Sequence, residues 1–79
     1  MYLSDAIRKR LEFLIKLHNT NGNNLALSCG IDRSTINRFL RKENKSIKIE
    51  TLTLICQAFN MSLRDFFDDK IFDDVEVDD

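Results

Sequence analysis

Arg33, Ser34, Asn37 and Arg38 stand at positions i, i+1, i+4 and i+5 inside the segment LALSCGIDRSTINRFLR, residues 25–41. On a helix, side chains with that spacing share one face. Their chemistry is hydrogen bonding without bond breaking: two guanidinium forks, a hydroxyl, and a carboxamide that both donates and accepts. Arg41, Lys42 and Lys45 follow in the polar run RKENKS, residues 41–46, and add positive charge. His18 is the sole histidine, with no second histidine, paired cysteine or carboxylate at a useful spacing, so it reads as structural or exposed. No Ser/His/Asp or Cys/His set, phosphate-cradling glycine loop or metal-ligand spacing is present. The expectation is a chain that recognises a partner rather than one that reacts: not an enzyme, with no cofactor, metal or small-molecule substrate.

The elements that must position those side chains are helical. The chain has 79 residues, no Pro, two Gly and 43% hydrophobic residues, which suits one small helical domain. It has no apolar run long enough to span a bilayer and no signal segment at its amino end. Cys29 and Cys56 are the two cysteines and suit neither a disulfide framework nor a zinc site. Both lie in apolar runs and read as reduced core residues, so a cytoplasmic setting is expected. The formal net charge is −1, but its distribution is lopsided. Residues 1–50 hold ten Lys/Arg against five Asp/Glu, whereas residues 51–79 hold two against eight. Such a split points to a nucleic-acid partner and an acidic tail.

Apolar periodicity predicts five helices. Ile7, Leu11, Leu14, Ile15 and Leu17 give the first, from about Asp5 to His18, with Ser4 or Asp5 at its start. Asn19-Thr20-Asn21-Gly22 is turn chemistry. Leu25, Ala26 and Cys29 give a short second helix from about Asn23 to Cys29, with Gly30 as its left-handed cap and Ile31 as a buried plug. Asp32 is a good N-cap for a third helix that buries Ile36, Phe39 and Leu40. Ile49, Leu52, Ile55, Cys56 and Phe59 give a fourth, from about Glu50 to Phe59, capped by Asn60. Ser62 with Asp65 forms a weak capping box for a fifth that folds Leu63, Phe66 and Phe67 onto the core. Arg8, Lys9 and Arg10 read as a solvated basic face. The chain divides into a domain of residues 1–69 and an acidic tail of residues 70–79. That tail is either a frayed end, or packs across a dimer interface through Ile71, Phe72, Val75 and Val77. Its carboxylates could instead rest on the basic face.

A short helix, a glycine turn and a second helix with a polar outer face make a helix-turn-helix. Ala26 is small where the two helices cross, and Ile31 and Ile36 lock the angle from inside. The second helix then projects as a rod of a width that a B-DNA major groove admits.

From LALSCGIDRSTINRFL at 25–40, SIKIETLTLICQAFNMSLRDFF at 46–67 and AIRKRLEFLIK at 6–16, the chain resembles the Cro/phage-repressor-like (XRE-type) helix-turn-helix domains. The likeness runs without gaps from Leu3 to Phe67, roughly four-fifths of the chain. It implies an all-α, five-helix, lambda-repressor-like DNA-binding domain that works as a homodimer on double-stranded operator DNA. Carried over by position, base reading falls on Arg33, Ser34, Asn37 and Arg38. Backbone contacts fall on Asn21, Asn23, Thr35, Arg41, Lys42 and Lys45. Three departures from the family pattern are present. Asn21 and Gly22 replace a Thr-Gln or Ser-Gln pair, Ile15 and Leu40 replace an Arg–Glu pair, and Ile47 stands where a proline is common.

The expected function is a sequence-specific transcriptional regulator that reads a pseudo-palindromic operator with its third helix. A repressor is favoured, because so short a chain has no room for an activating or ligand-sensing domain. The alternative is a protein-interaction module of the same fold, antitoxin-like or a scaffold partner, with the acidic tail as contact surface.

Overall fold

The computed structural model describes residues 1–77. Helix α1 runs Leu3–Leu17, α2 Gly22–Cys29, α3 Arg33–Leu40, α4 Ile49–Ala58 and α5 Leu63–Phe67, and a single 3-10 turn follows at Lys70–Phe72. The five expected helices are all present, and the sole β feature among the described residues is an isolated bridge between Tyr2 and Glu76. No helix is long and apolar enough to cross a membrane.

The starts of α2, α3 and α5 follow from side chains that accept otherwise orphaned N–H groups. Asn21 Oδ1 accepts from Asn24 N–H at 2.8 Å, so α2 opens at Gly22, one residue before its expected start. Asp32 Oδ1 accepts from Ser34 N–H at 3.0 Å. That bond and one from the Ser34 hydroxyl, with the nearby guanidinium charges of Arg33 and Arg38, hold the Asp32 carboxyl below its usual range. Around α5 the capping box closes both ways: Ser62 Oγ accepts from Asp65 N–H at 3.0 Å, and Asp65 Oδ2 accepts from Ser62 N–H at 3.4 Å.

Four helices end alike, through a residue with positive φ: Asn19, Gly30, Lys42 and Asn60. In each case two consecutive N–H groups reach back to the last turn in the crossed pattern that ends a helix tightly. After α2, Gly30 N–H donates to Leu27 O at 3.3 Å and Ile31 N–H to Ala26 O at 3.0 Å. Gly30 has φ +69° and nothing within 4 Å of where a Cβ would stand, so its requirement is conformational rather than steric. Gly30→Ala should therefore lower stability by about 1 kcal/mol, the cost of a left-handed Ala. A thermal melt followed by circular dichroism reads it, and an unchanged midpoint would show that the turn has another low-energy form.

The core joins α1 (Leu11, Leu14), α2 (Leu25, Ala26), α3 (Ile36, Phe39), α4 (Leu52, Ile55, Cys56) and Phe66 of α5, with Phe59 at its edge. Ala26 is fully buried where α2 meets its neighbours, as its size requires. Ile31 is half-buried rather than sealed. His18 is exposed, its ring 4.7 Å from that of Phe59.

Two readings of α1 need correction. Arg8 and Arg10 are not a solvated face; only Lys9 of the three is exposed. Arg8 is 3% exposed. Arg10 Nε donates to Phe66 O at 2.8 Å and its Nη2 to Asp65 O at 3.0 Å, at the end of α5. Arg8 Nε donates to Phe39 O, so both guanidinium groups add bonds to carbonyls in the last turn of another helix, and they lie over the Phe39 and Phe66 rings. Secondly, α1 begins at Leu3, because the far end of the chain caps it. Leu3 N–H donates to Glu76 O at 2.7 Å, and Glu76 N–H donates to Met1 O at 3.0 Å. Between α5 and that bridge, the Phe72 ring lies 4.9 Å from Phe67 and 6.1 Å from Phe66. Through Glu76 the acidic segment is thus held to the domain by these contacts, whereas Val77 is exposed; Asp78 and Asp79 lie outside the described residues.

Candidate nucleic-acid interface

Helix α3 has eight residues, so it is about 12 Å long. One side is sealed by Ile36 and Phe39, and Arg33, Thr35 and Arg38 are exposed on the rest, with Ser34 half-buried. The Asp32 cap fixes its start. Its end is fixed by Lys42 N–H on Phe39 O at 3.1 Å and Glu43 N–H on Arg38 O at 2.8 Å. A helix held at both ends and sealed along one side is stiff, so its outer side chains share one frame.

Asn21 and Asn23 are exposed at the start of α2, and Asn37 joins them. Asn37 Nδ2 donates to Asn23 Oδ1 at 2.8 Å, tying the outer face of α3 to the first turn of α2. Gly22 makes room for this contact, since a Cβ there would overlap Asn37 Oδ1 and crowd Leu40 Cδ1. Asn37 is half-buried, and one of its two amide N–H donors is spent inside the protein. Ile15 and Leu40, in place of the family's Arg–Glu pair, are both half-buried beside the core.

Beyond α3, Arg41, Lys42 and Lys45 are all exposed. Arg41 is not free of carboxylates: its Nε and Nη2 each lie 2.8 Å from Glu43 Oε2. An exposed pair of this kind contributes only ~0–1 kcal/mol and yields readily to a competing anion. Lys42 adopts φ +65°, uncommon for a side chain other than Gly, Asn or Asp. Thr35, Lys45 and Lys48 border one groove between the start of α3 and the loop, with Glu43 on the same rim.

The structure thus gathers the sequence candidates into three adjoining groups: the outer face of α3, the start of α2, and the loop after α3. Lys48 was missed from sequence, because it stands at the N-cap of α4 where a helix start draws the eye rather than a charge. Its spacing three residues after Lys45 was the available signal.

A family model for the Cro/C1-type helix-turn-helix DNA-binding domain matches residues 10–70. The crystal structure of the prophage Lp1 protein 11 superposes with a TM-score of 0.81 at 28% sequence identity, over 95% of this chain and 100% of that one. No curated protein matches.

Proposed function

Because the chain belongs to the Cro/C1-type helix-turn-helix DNA-binding domain family, we propose that it is a sequence-specific regulator of transcription, acting as a repressor by occupying its operator. Helix α3 enters the major groove. Arg33 donates two parallel bonds to guanine O6 and N7, and Ser34 and Arg38 read the neighbouring base edges. Asn37 contributes its remaining amide capacity while it holds α3 to α2. Asn21, Asn23 and Thr35 flank that helix on the phosphates, and Arg41, Lys42 and Lys45 grip the backbone beyond it. These backbone contacts set affinity and register without reading sequence. Two copies on a two-fold axis read the halves of a pseudo-palindromic operator, about one helical turn apart.

One observation carries this reading: Arg33 and Arg38 are exposed on a helix fixed at both ends, and neither is in an ion pair among the described residues. Selection of bound sites from random duplexes with the purified protein tests it. A recovered two-fold consensus supports it, and recovery of unenriched sequence overturns it. A protein-interaction module of the same fold keeps support from Leu27, which is 82% exposed on α2. That reading expects no enrichment in the same selection.

The loop makes a separate, quantitative prediction. Lys45→Ala should weaken binding to operator and random duplex alike and reduce the slope of log K against log salt by about 1, one phosphate contact. Fluorescence anisotropy over a salt series measures both, and a loss confined to the operator would contradict a backbone role.

A further inference from the structure

Arg8 is the one charged side chain buried among the described residues. It lies in α1, far in sequence from the DNA-facing groups, yet it bonds to the segment that carries three of them. Its Nε donates to Phe39 O, at the end of α3, at 2.7 Å. Its Nη2 reaches Asn44 O, in the loop, at 3.4 Å. Its Nη1 is 2.7 Å from Asp5 Oδ1, one turn back along α1, and its guanidinium carbon sits 4.8 Å from the centre of the Phe39 ring.

A planar guanidinium carries five N–H donors in a fixed fork, so the positions of its acceptors are mutually constrained. Here one acceptor belongs to α3 and another to the loop. The carboxylate of Asp5 sets the fork's orientation from the α1 side. Backbone N–H groups of the loop return to α3: Arg41 to Asn37 O at 2.9 Å, Lys42 to Phe39 O at 3.1 Å, and Glu43 and Asn44 to Arg38 O at 2.8 and 3.2 Å. They fix its near end. Asn44 O is the acceptor next to Lys45, and Arg8 is the group that holds it to the body of the domain.

We infer that Arg8 is a positioning residue for phosphate contact: it holds the Arg41–Lys45 loop in register with α3, so that base reading and backbone grip engage together. This role rests on the DNA-binding reading above. Without the fork, the loop cations still attract a duplex but no longer meet phosphates at fixed places. Contacts are then lost on every sequence alike, while Arg33, on the far side of α3's capped start, keeps its discrimination.

Arg8→Lys tests the role, because it keeps the charge but replaces the fork with a single point donor. Its affinity for the selected operator and for a random duplex is measured over a salt series, at a temperature where circular dichroism shows both proteins folded. The expected result is a slope flatter by about 0.9 to 2.7, equivalent to one to three lost phosphates, with the ratio of operator to random affinity kept within a factor of about three. Mere loss of stability would leave the slope of the folded protein unchanged. A folded Arg8→Lys with the wild-type slope therefore overturns the role alone, and wild type that binds no duplex overturns the DNA-binding reading and the role with it. If Arg8→Lys does not fold, Asp5→Asn replaces it. That variant unseats the orienting carboxylate and should flatten the slope in the same direction by a smaller amount; a wild-type slope in Asp5→Asn overturns the role.

Discussion

Phe39→Ala is expected to be strongly destabilising, with a melting midpoint well below that of the wild type. The ring is 1% exposed and joins α3 to the core. Truncating a fully buried Phe costs about 3–5 kcal/mol, the lost transfer energy plus the cavity left behind. The Arg8 guanidinium, which rests on that ring, then faces the vacated space with its ion pair only partly covered. A domain of this size has a total stability of about 4–12 kcal/mol, so a loss of that order removes a quarter of it or more. At roughly 4–8 °C per kcal/mol for such a domain, the melting midpoint should fall by at least about 12 °C. A melt by circular dichroism is the measurement. A fall of only a few degrees would mean that α1 and α3 close over the gap.

How legible this architecture is in sequence depends on how far each interaction reaches along the chain. Gly30, Asp32, Asn60 and the Ser62–Asp65 box act within three residues of themselves, and each does what its type and spacing announce. The apolar stripes likewise marked the core, because burial repeats with the helical period. What sequence did not disclose are bonds to distant backbone. Arg8 reaches 31 and 36 residues ahead, and Arg10 reaches 55 and 56. A carbonyl carries no residue identity, so nothing at the far end marks it as an acceptor. The near end did carry a signal: Arg8 stands three before Leu11 and seven before Ile15, on the stripe that faces inward. A charge on such a stripe needs a partner, and that asks for a helix end nearby.

The same limit explains the acidic segment. Its docking rests on Glu76 backbone groups and on Phe72, whose type predicted burial but not against which surface. It also explains Asn37. Its place on the outer face of α3 was readable, but its bond to Asn23 depends on the turn between the helices and on the missing Cβ of Gly22. Lys42 was readable as a cation but not as a helix terminator, because lysine has no preference for the left-handed conformation it adopts.

Arg33→Ala should lower affinity for the selected operator by about 1–3 kcal/mol, roughly 5- to 150-fold, and lower affinity for random duplex far less. The asymmetry follows from position. Arg33 is the first residue of α3, held there by the Asp32 cap, so its fork is aimed by the helix rather than by a mobile loop. A fork aimed at a base edge loses both of its bonds when truncated and leaves guanine acceptors unpaired, a cost that only the matching sequence incurs. A fork on a phosphate would lose the same on every sequence. Arg33→Lys separates geometry from charge. It keeps the cation, so random-duplex affinity and the salt slope should stay near wild type, while most of the operator-specific loss remains because a point donor cannot bridge O6 and N7. Anisotropy titrations on both duplexes at two salt concentrations measure this. Equal losses on operator and random DNA for Arg33→Ala would move Arg33 to the backbone and leave Ser34 and Arg38 to carry the reading.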